Sequence, residues 1–414
     1  MKKIAAFFTA FALFMATVLV LNAAFAGSIS MKNHRFGTWM NNYKDTSYSA
    51  ISDNIKDDTV LFMGSSEFHH GAHTPTFPAK VLKKQGIDAM CIGSSYNQSL
   101  SHATALAAVG PKLKSKKVIL MVSPSWFNPL GVAAHKSAFA VRFSETEYIG
   151  MLKNTNIPVS VKKQIAARTV KLLGSDRAMR ARVKKYDRIF LTNDARMTDM
   201  AFYSLRSVFL RQQEAMTVRV AWQMHQQKKT EIKENVRKRS KLSREEARRE
   251  ARMAAEAAAR PEGPDWNTLS ALAEAQFART SHNEFFMSDE LYRTKVRPIM
   301  KKKRGTETKM SYASSPEYGD LKLFLDVCRA ENMKVQIVIL PMNGYWFDYA
   351  GFPEAQRRAC IPKIKKLAAQ YKNTQVTDLY KYSYTKGFFM DTVHPAAKGW
   401  LKIDEAVYKF IKER

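Results

Sequence analysis

Short apolar runs, each followed by a glycine, a proline or polar residues, constrain the fold of this chain more than any other feature. The runs are continuous instead of alternating, which is typical of strands buried on both faces of a parallel sheet. Helical stretches separate them, at about residues 100–109, 317–332 and 353–371. Strands that alternate with helices predict an α/β fold with a doubly wound, mainly parallel sheet. The runs are TVLFMG (59–64), AMCIG (89–93), KVILMVS (117–123), KVQIVILP (334–341) and, more weakly, TQVTDL (374–379).

The predicted core is split in sequence. Between about residues 127 and 315 the strand signals disappear, and the chain is mainly helical and basic. Within it, SREEARREARMAAEAAAR (243–260) predicts a helix opened by a capping box of Ser243 and Glu246. This helix is either a solvated surface element or an arm that contacts a partner protein or polyanion. The predicted domains are an anchor or signal peptide (1–26), a linker and cap (27–58), the first part of the core (59–126), a helical insertion (127–315) and the second part of the core (316–414).

The N-terminus indicates export. After Lys2 and Lys3, residues 4–26 carry no charge, and roughly 20 such residues can cross a bilayer as a helix. Ala24-Phe25-Ala26 also fits a signal-peptide cleavage site, so the segment is either a retained anchor, which its length favours, or a cleaved leader. In both cases the two lysines stay on the cytoplasmic side and the remainder is exported.

Charge and cysteine content narrow the classes of partner and site. The chain has 67 Lys and Arg against 37 Asp and Glu, a formal net charge of +30, which attracts polyanions. Export makes nucleic acid an unsuitable partner and leaves anionic lipid and phosphate-rich wall polymers. The three cysteines show no metal-ligand spacing, so the sequence indicates neither a disulfide framework nor a zinc site.

A serine-rich turn follows the first predicted strand. In doubly wound sheets, ligand-binding and active sites lie at the carboxyl ends of the strands. The turn reads Gly64-Ser65-Ser66-Glu67. A serine hydroxyl needs a base to take its proton and a third group to orient that base. His394 fits, because Asp391 precedes it by three residues and Pro395 is suited to the first position of a following helix.

Together these motifs resemble a known family. Gly-x-Ser on the first strand, a glycine after the second and Asp-x-x-His-Pro before the last helix are similar to the SGNH hydrolase superfamily, with its flavodoxin-like sheet. Within it, LFMGSSEF, VSPSWF, PMNGYWFDYAG and DTVHPAAKGW closely resemble the motifs of the DltD family, membrane-anchored D-alanine transfer proteins of Gram-positive bacteria. The resemblance covers nearly the whole chain, except the Ala/Arg/Glu-rich helix.

The resemblance implies a function. A protein of this family would act at the cell membrane, with its N-terminus cytoplasmic and its catalytic domain outside. It would transfer D-alanyl groups to the polyglycerol-phosphate chain of lipoteichoic acid, without a cofactor. Its partners would be a membrane-bound O-acyltransferase and a small partner peptide. Carried onto this sequence, Ser66 would be the nucleophile, with Ser65 as its rival, His394 the general base and Asp391 its orienting partner.

Further site residues are expected around these three. The backbone N–H groups of Ser66 and Gly93 would stabilise an oxyanion. The wider superfamily has an asparagine where this chain has Ser123-Pro124-Ser125, so the Ser125 hydroxyl or a backbone N–H would substitute. Glu67 either binds the ammonium of a D-alanyl group or caps a helix. The remaining expected substrate contacts are Trp126, Asn343, Tyr345 and Trp346, the last three with loop packing as the alternative.

Three alternatives to this reading stay open. His69, His70 and His73 form a His-His-x-x-His pattern, but no carboxylate pattern completes a zinc motif, and we expect no metal. The same serine and histidine could serve an exported esterase that uses water as acceptor. The protein could also be a non-catalytic scaffold that organises the alanylation machinery through its helical insertion.

Overall fold

The computed structural model describes residues 2–26, 31–33, 35–174, 176–239 and 242–413. Five strands form one sheet: β1 Val60–Met63, β2 Ala89–Ile92, β3 Lys117–Val122, β4 Lys334–Ile339 and β5 Thr374–Asp378. The α-helices are α1 Lys2–Ala26, α2 Tyr48–Asn54, α3 Glu67–Gly71, α4 Pro78–Lys84, α5 Ser99–Val109, α6 Ala138–Arg142, α7 Glu145–Lys153, α8 Val159–Leu172, α9 Arg177–Phe190, α10 Met197–Arg239, α11 Leu242–Ala258, α12 Trp266–Thr280, α13 Asp289–Leu291, α14 Met300–Lys303, α15 Glu317–Ala330, α16 Gly344–Tyr349, α17 Glu354–Arg358, α18 Cys360–Ala368 and α19 Ala397–Lys412.

All strand pairs are parallel, in the order β2-β1-β3-β4-β5. This is a doubly wound order, in which the carboxyl ends of all strands meet at one edge. The five apolar runs of the sequence coincide with the five strands, so the prediction of a parallel α/β sheet is confirmed. β3 pairs with β4 over the whole of both strands, from Lys117 and Lys334 to Val122 and Ile339, across more than 200 intervening residues.

Helices cover both faces of the sheet, which explains the continuous apolar runs. Leu61 and Met63 of β1 face one hydrophobic core, which includes residues of α5, α7 and α15. Val60 and Phe62 face a second core, to which α4 and α19 contribute. All four side chains are buried, so neither face of β1 needs polar residues.

The region between the two halves of the core is helical. Among its described residues, 128–174, 176–239 and 242–315, there is no strand. It does not form one appendage: α7 packs on α5, whereas α11 and α12 pack near α4 and α19. α11 is described from Leu242 onwards, directly after residues 240 and 241, which lie outside the described part of the chain, so the predicted capping box of Ser243 and Glu246 stays a prediction.

Residues 2–26 form α1, as the sequence suggested. However, the described part of the chain contains no helix that is both long and apolar enough to cross a membrane. The predicted transmembrane anchor is therefore not supported. In the predicted linker and cap, Phe36 and Trp39 are buried in the core and α2 packs on α5 and α7.

Candidate active site

In the turn after β1, the side chains of Ser65 and Ser66 point in different directions. The Ser65 side chain is buried, and its hydroxyl donates to the Ser94 carbonyl at 3.1 Å. Its backbone N–H donates to a Glu67 carboxylate oxygen at 2.6 Å. Ser66, directly before α3, is only half-buried, and its Oγ lies 2.7 Å from Nε2 of His394. The geometry therefore brings Ser66, and not Ser65, to the histidine.

The loop before α19 holds His394 against a carboxylate. Nδ1 of His394 lies 2.7 Å from Oδ2 of Asp391. The other carboxylate oxygen accepts the backbone N–H groups of Val393 and His394, both at 2.9 Å. The loop also closes on itself, because the Met390 N–H donates to the His394 carbonyl at 2.9 Å. A continuous hydrogen-bond chain results, from Ser66 through His394 to Asp391.

Burial and the neighbouring charged groups shift the pKa values of His394 and Asp391 in opposite directions. Burial disfavours the charged form of His394, but the hydrogen bond and charge of Asp391, with the charge of Glu67, outweigh it and raise the pKa of His394 above 6.5. Burial likewise opposes ionisation of Asp391, but His394 and the two backbone N–H groups lower the pKa of Asp391 below 3.8. The pair therefore favours imidazolium beside carboxylate, the state that forms when the histidine takes a proton.

Glu67 is a buried carboxyl group beside Ser66. Burial raises its pKa, although the backbone N–H groups of Ser65 and Glu67 itself and the charge of His394 act in the other direction. The group lies so close to the turn that a Cβ on Gly64 would collide with its Oε1. Glu67 accepts the backbone N–H of Ser65 just before α3 and also lines the pocket, so both of its predicted roles stay predictions.

Gly93 lies beside Gly64, where β2 ends. A Cβ on Gly93 would approach the Gly64 carbonyl oxygen well inside 3.0 Å, so only glycine fits. The same carbonyl lies 2.8 Å from Nε2 of His102, whose pKa burial lowers to about 4, so that the ring is neutral. Gly93 supports the turn from behind and is not among the residues that line the pocket.

A pocket of about 310 Å³ opens at Ser66. Ser125 and Trp126, both expected to contact substrate, lie in its wall. The Ser125 hydroxyl is 2.8 Å from that of Ser123, so each can orient the other. Small-molecule sites typically combine such concavity with a few convergent polar groups. The lining residues are Ser65, Ser66, Glu67, Ser95, Tyr96, Gln98, Ser123, Ser125, Trp126, Asn128, His135, Leu340, Val393 and His394.

Three residues expected at the pocket lie elsewhere. The Asn343 side chain accepts the Trp346 N–H at 3.2 Å and donates to the Phe285 carbonyl at 2.9 Å, so it caps α16 and ties it to the helical region. Trp346 is buried edge-on against Phe285. The Tyr345 hydroxyl donates to the Tyr384 carbonyl at 3.0 Å. The structure thus places all three in loop packing, the alternative that the sequence had left open.

The three histidines that follow the turn diverge. Nε2 of His69 lies 2.9 Å from the Ser94 hydroxyl, whereas His73 lines a different pocket. The His70 ring stacks on His394, and the potential ligand atoms of His70, Asp391 and His394 lie within 4.8 Å of one another. Both ring nitrogens of His394 already have hydrogen-bond partners, so we assign no metal to this group.

Sequence reasoning missed two residues at the pocket rim. Tyr96 adopts φ +72°, an uncommon conformation for tyrosine that recurs at functional sites, and its ring packs on His135 with centroids 5.1 Å apart. The loop is held by Arg142, which donates to the Ser95 carbonyl at 2.6 Å. No sequence signal pointed to Tyr96, because glycine or asparagine is the usual marker of such backbone. His135 comes from the helical insertion, more than 60 residues from the turn.

Comparison with known proteins places the chain in a family. The family model described as "DltD protein" matches residues 33–412. The chain belongs to the DltD family. It is 27% identical over 362 residues to Protein DltD of Bacillus subtilis strain 168, covering 86% of this chain and 84% of that protein. Proteins named Protein DltD from Lacticaseibacillus rhamnosus (26% over 366 residues; 86% and 78% covered) and Staphylococcus aureus strain NCTC 8325 (25% over 367 residues; 87% and 84% covered) are also similar.

Proposed function

We propose that this DltD-family protein is an extracytoplasmic acyltransferase that moves D-alanyl groups onto lipoteichoic acid through an acyl-enzyme on Ser66. The observation that carries the proposal is the hydrogen-bond chain from Ser66 through His394 to Asp391, with 2.7 Å at each step. Family membership supplies the pathway, D-alanylation of teichoic acid. The hydrogen-bond chain from Ser66 to Asp391 supplies the chemistry, because serine, histidine and carboxylate in this order form an activated nucleophile.

In the first half-reaction, Nε2 of His394 takes the proton of Ser66 as Oγ attacks an activated D-alanyl carbonyl carbon. A bond forms between Oγ and that carbon, and the bond to the leaving group breaks. His394 returns the proton to the leaving group, so a D-alanyl-serine ester remains and the histidine is neutral again. Asp391 stabilises the imidazolium that exists in between.

In the second half-reaction, a hydroxyl of the polyglycerol-phosphate chain replaces Ser66 as the attacking group. His394 takes the proton of that hydroxyl as its oxygen attacks the ester carbonyl. The bond between the carbonyl carbon and Oγ breaks, and His394 returns the proton to Ser66. The products are a D-alanyl ester on the polymer and the free enzyme, so the proton and acyl group are both accounted for.

Each half-reaction passes through an oxyanion that needs hydrogen-bond donors already in place. We assign this role to the backbone N–H group of Ser66 and to the Ser125 hydroxyl, whereas Gly93, also expected to donate, does not line the pocket and supports the turn from behind. Glu67 is the group suited to the D-alanyl ammonium, because it is a carboxyl group buried beside Ser66 in the pocket wall. An ammonium placed there would favour the ionised form of Glu67.

The net charge of +30 suits the proposed acceptor. Each unit of a polyglycerol-phosphate chain carries a negative charge, and a basic surface raises its local concentration near the pocket. The membrane-bound O-acyltransferase and the small peptide of the pathway are the proposed partners on the donor side.

The test is the D-alanine ester content of lipoteichoic acid in cells whose only copy of the protein is Ser66→Ala. We expect the D-alanine ester content to fall to that of gene-deleted cells, because the acyl-enzyme cannot form. The matched control is Ser65→Ala, which changes the neighbouring serine and leaves the chain from Ser66 to Asp391 intact. Protein levels are compared in all strains.

The other outcomes separate the alternatives. Wild-type content in Ser66→Ala cells would contradict the proposal and favour a scaffold. Content above wild type would instead indicate an esterase that removes acyl groups.

A further inference from the structure

A second imidazole lies flat against the candidate base. The ring of His70 stacks on that of His394 with centroids 4.1 Å apart and an angle of 22° between the planes. The ring nitrogens of His70 make no hydrogen bond to any residue that the structure describes. His70 therefore contacts His394 through the face of its ring and not through a polar atom.

The fold holds His70 in this place. His70 lies one helical turn after Ser66, and its N–H donates to the Ser66 carbonyl at 3.1 Å, so α3 presents both residues on one side. On the opposite side Phe68 is fully buried between Phe77 and Trp400, at centroid distances of 6.2 and 6.3 Å. A Cβ on Gly71 would overlap the indole of Trp400, so α3 sits directly on α19. The backbone of His70 is thus fixed relative to the helix that follows His394.

We propose that His70 is a positioning residue, whose aromatic face keeps the His394 ring aligned between Ser66 and Asp391 and stabilises it when it becomes imidazolium. This inference rests on the proposed function of His394 as the general base. The hydrogen bonds to Ser66 and Asp391 fix the two nitrogens of His394 but leave the ring free to tilt about the line between them. A flat partner against one face restricts that tilt, and an aromatic face attracts a cation.

The role requires that His70 itself be uncharged. Burial lowers the pKa of His70, and the interactions with His394, His69 and His73 lower it further. Asp391 raises it, but by less. The charged groups that face His394 are Asp391 and Glu67, and both favour the proton on His394. The proton therefore goes to His394 first, and the ring stacked on it stays neutral.

The experiment measures how fast purified full-length protein reacts with a fluorophosphonate reagent, which modifies an activated serine and does not depend on the natural acyl donor. Four variants are compared with wild type: His70→Ala, His70→Leu, His70→Phe and His73→Ala. Leucine keeps volume without an aromatic face, and phenylalanine keeps the face without nitrogens. His73 is the matched control, because it belongs to the same segment but lines another pocket. Thermal unfolding checks that each variant is folded.

We expect His70→Ala and His70→Leu to lower the maximal labelling rate about tenfold, which corresponds to roughly 1.4 kcal/mol, with little change in the half-saturating concentration. His70→Phe should restore most of the rate, and His73→Ala should equal wild type. If His70→Ala does not fold, the difference in labelling rate between His70→Leu and His70→Phe decides whether the aromatic face matters.

Other results would overturn the inference. A leucine variant as fast as wild type would mean that the aromatic face is irrelevant. A phenylalanine variant as slow as leucine would mean that a ring nitrogen matters instead. An equal loss of labelling rate in His73→Ala would indicate that the packing of this segment in general, and not the face of the His70 ring, determines the rate. None of these bears on the proposed function, which is decided separately by the ester content of Ser66→Ala cells.

Discussion

Two aspartate–histidine pairs in this molecule have nearly the same local geometry and very different surroundings. In both, Nδ1 of the histidine lies 2.7 Å from Oδ2 of the aspartate: His394 with Asp391 at the sheet edge, and His282 with Asp289 in the helical region. In both, the backbone N–H of the histidine donates to the other carboxylate oxygen, at 2.9 and 2.8 Å. The hydrogen-bond motif alone therefore does not distinguish them.

Their surroundings do. The side chains of His394 and Asp391 are 14% and 17% exposed, whereas those of His282 and Asp289 are 65% and 41% exposed. Only the first histidine has a serine at its other nitrogen among the described residues. An oriented imidazole becomes a candidate base when burial strengthens its electrostatics and the fold supplies a nucleophile and a pocket. The carboxyl ends of the strands provide these for His394, whereas His282 and Asp289 are exposed and no serine of the described residues is hydrogen-bonded to the other nitrogen of His282.

The largest expected difference between the pairs is in reactivity. Asp391→Asn should lower the fluorophosphonate labelling rate about 10³–10⁴-fold, because an amide favours the wrong tautomer of His394 and no longer stabilises imidazolium. Asp289→Asn, the same change in the exposed pair, should leave the rate unchanged. Equal rates for the two variants would break the distinction between the pairs.

A smaller effect is expected from the support behind the turn. Gly93→Ala should displace the Gly64 carbonyl, destabilise the protein by about 1–3 kcal/mol as in other overpacked cores, and slow labelling of Ser66 at least about tenfold. Gly319→Ala in α15 is the control, because an added Cβ there meets nothing within 4 Å. Urea unfolding gives the stability and labelling gives the rate. A Gly93→Ala variant with wild-type values would show that the turn tolerates displacement.

The pH dependence of labelling distinguishes the buried pair further. His394 must be neutral to accept the proton of Ser66, and Asp391 raises the pKa of His394 above 6.5. The rate should therefore fall as the pH decreases, with a midpoint above pH 6.5. In Asp391→Asn the pKa of His394 falls, so the midpoint of the residual rate should move to lower pH. A midpoint that stays in place would mean that Asp391 does not govern the ionisation of His394.

The smallest effect concerns the exposed pair itself. His282→Ala should change the free energy of unfolding by less than about 1 kcal/mol, because exposed ion pairs gain little over hydration. Chemical denaturation measures it. A loss of several kcal/mol would show that the helical region depends on this pair and that exposure is the wrong criterion.

Much of the fold and part of the site followed from the sequence, for identifiable reasons. The strands were predictable within about two residues at each end. β1 to β4 are buried on both faces and carry mainly apolar side chains, whereas β5 is only partly buried and gave a weaker signal. The predicted helix over 353–371 is in two pieces, α17 and α18, since Pro362 lies in the first turn of α18, where its missing N–H costs no hydrogen bond. Asp391 and His394 were predictable because they are close in sequence and precede a helix.

The remainder depends on contacts that no local pattern carries. Ser66 and His394 are 328 residues apart, and only the sheet order brings them together. The stacking of His70 on His394 depends on how α3 seats against Trp400. The capping role of Asn343 depends on a carbonyl in the helical region. By sequence, the pair His282 and Asp289 could be judged only as two polar residues seven positions apart.

The most direct test of the central claim is the identity of the modified serine. Wild-type protein is reacted with the fluorophosphonate, digested and analysed by peptide mass spectrometry with fragmentation between Ser65 and Ser66. We predict modification of Ser66 alone, and its loss in His394→Ala. Modification of Ser65, or labelling that persists undiminished without His394, would contradict the claim that the sheet edge activates Ser66 through His394.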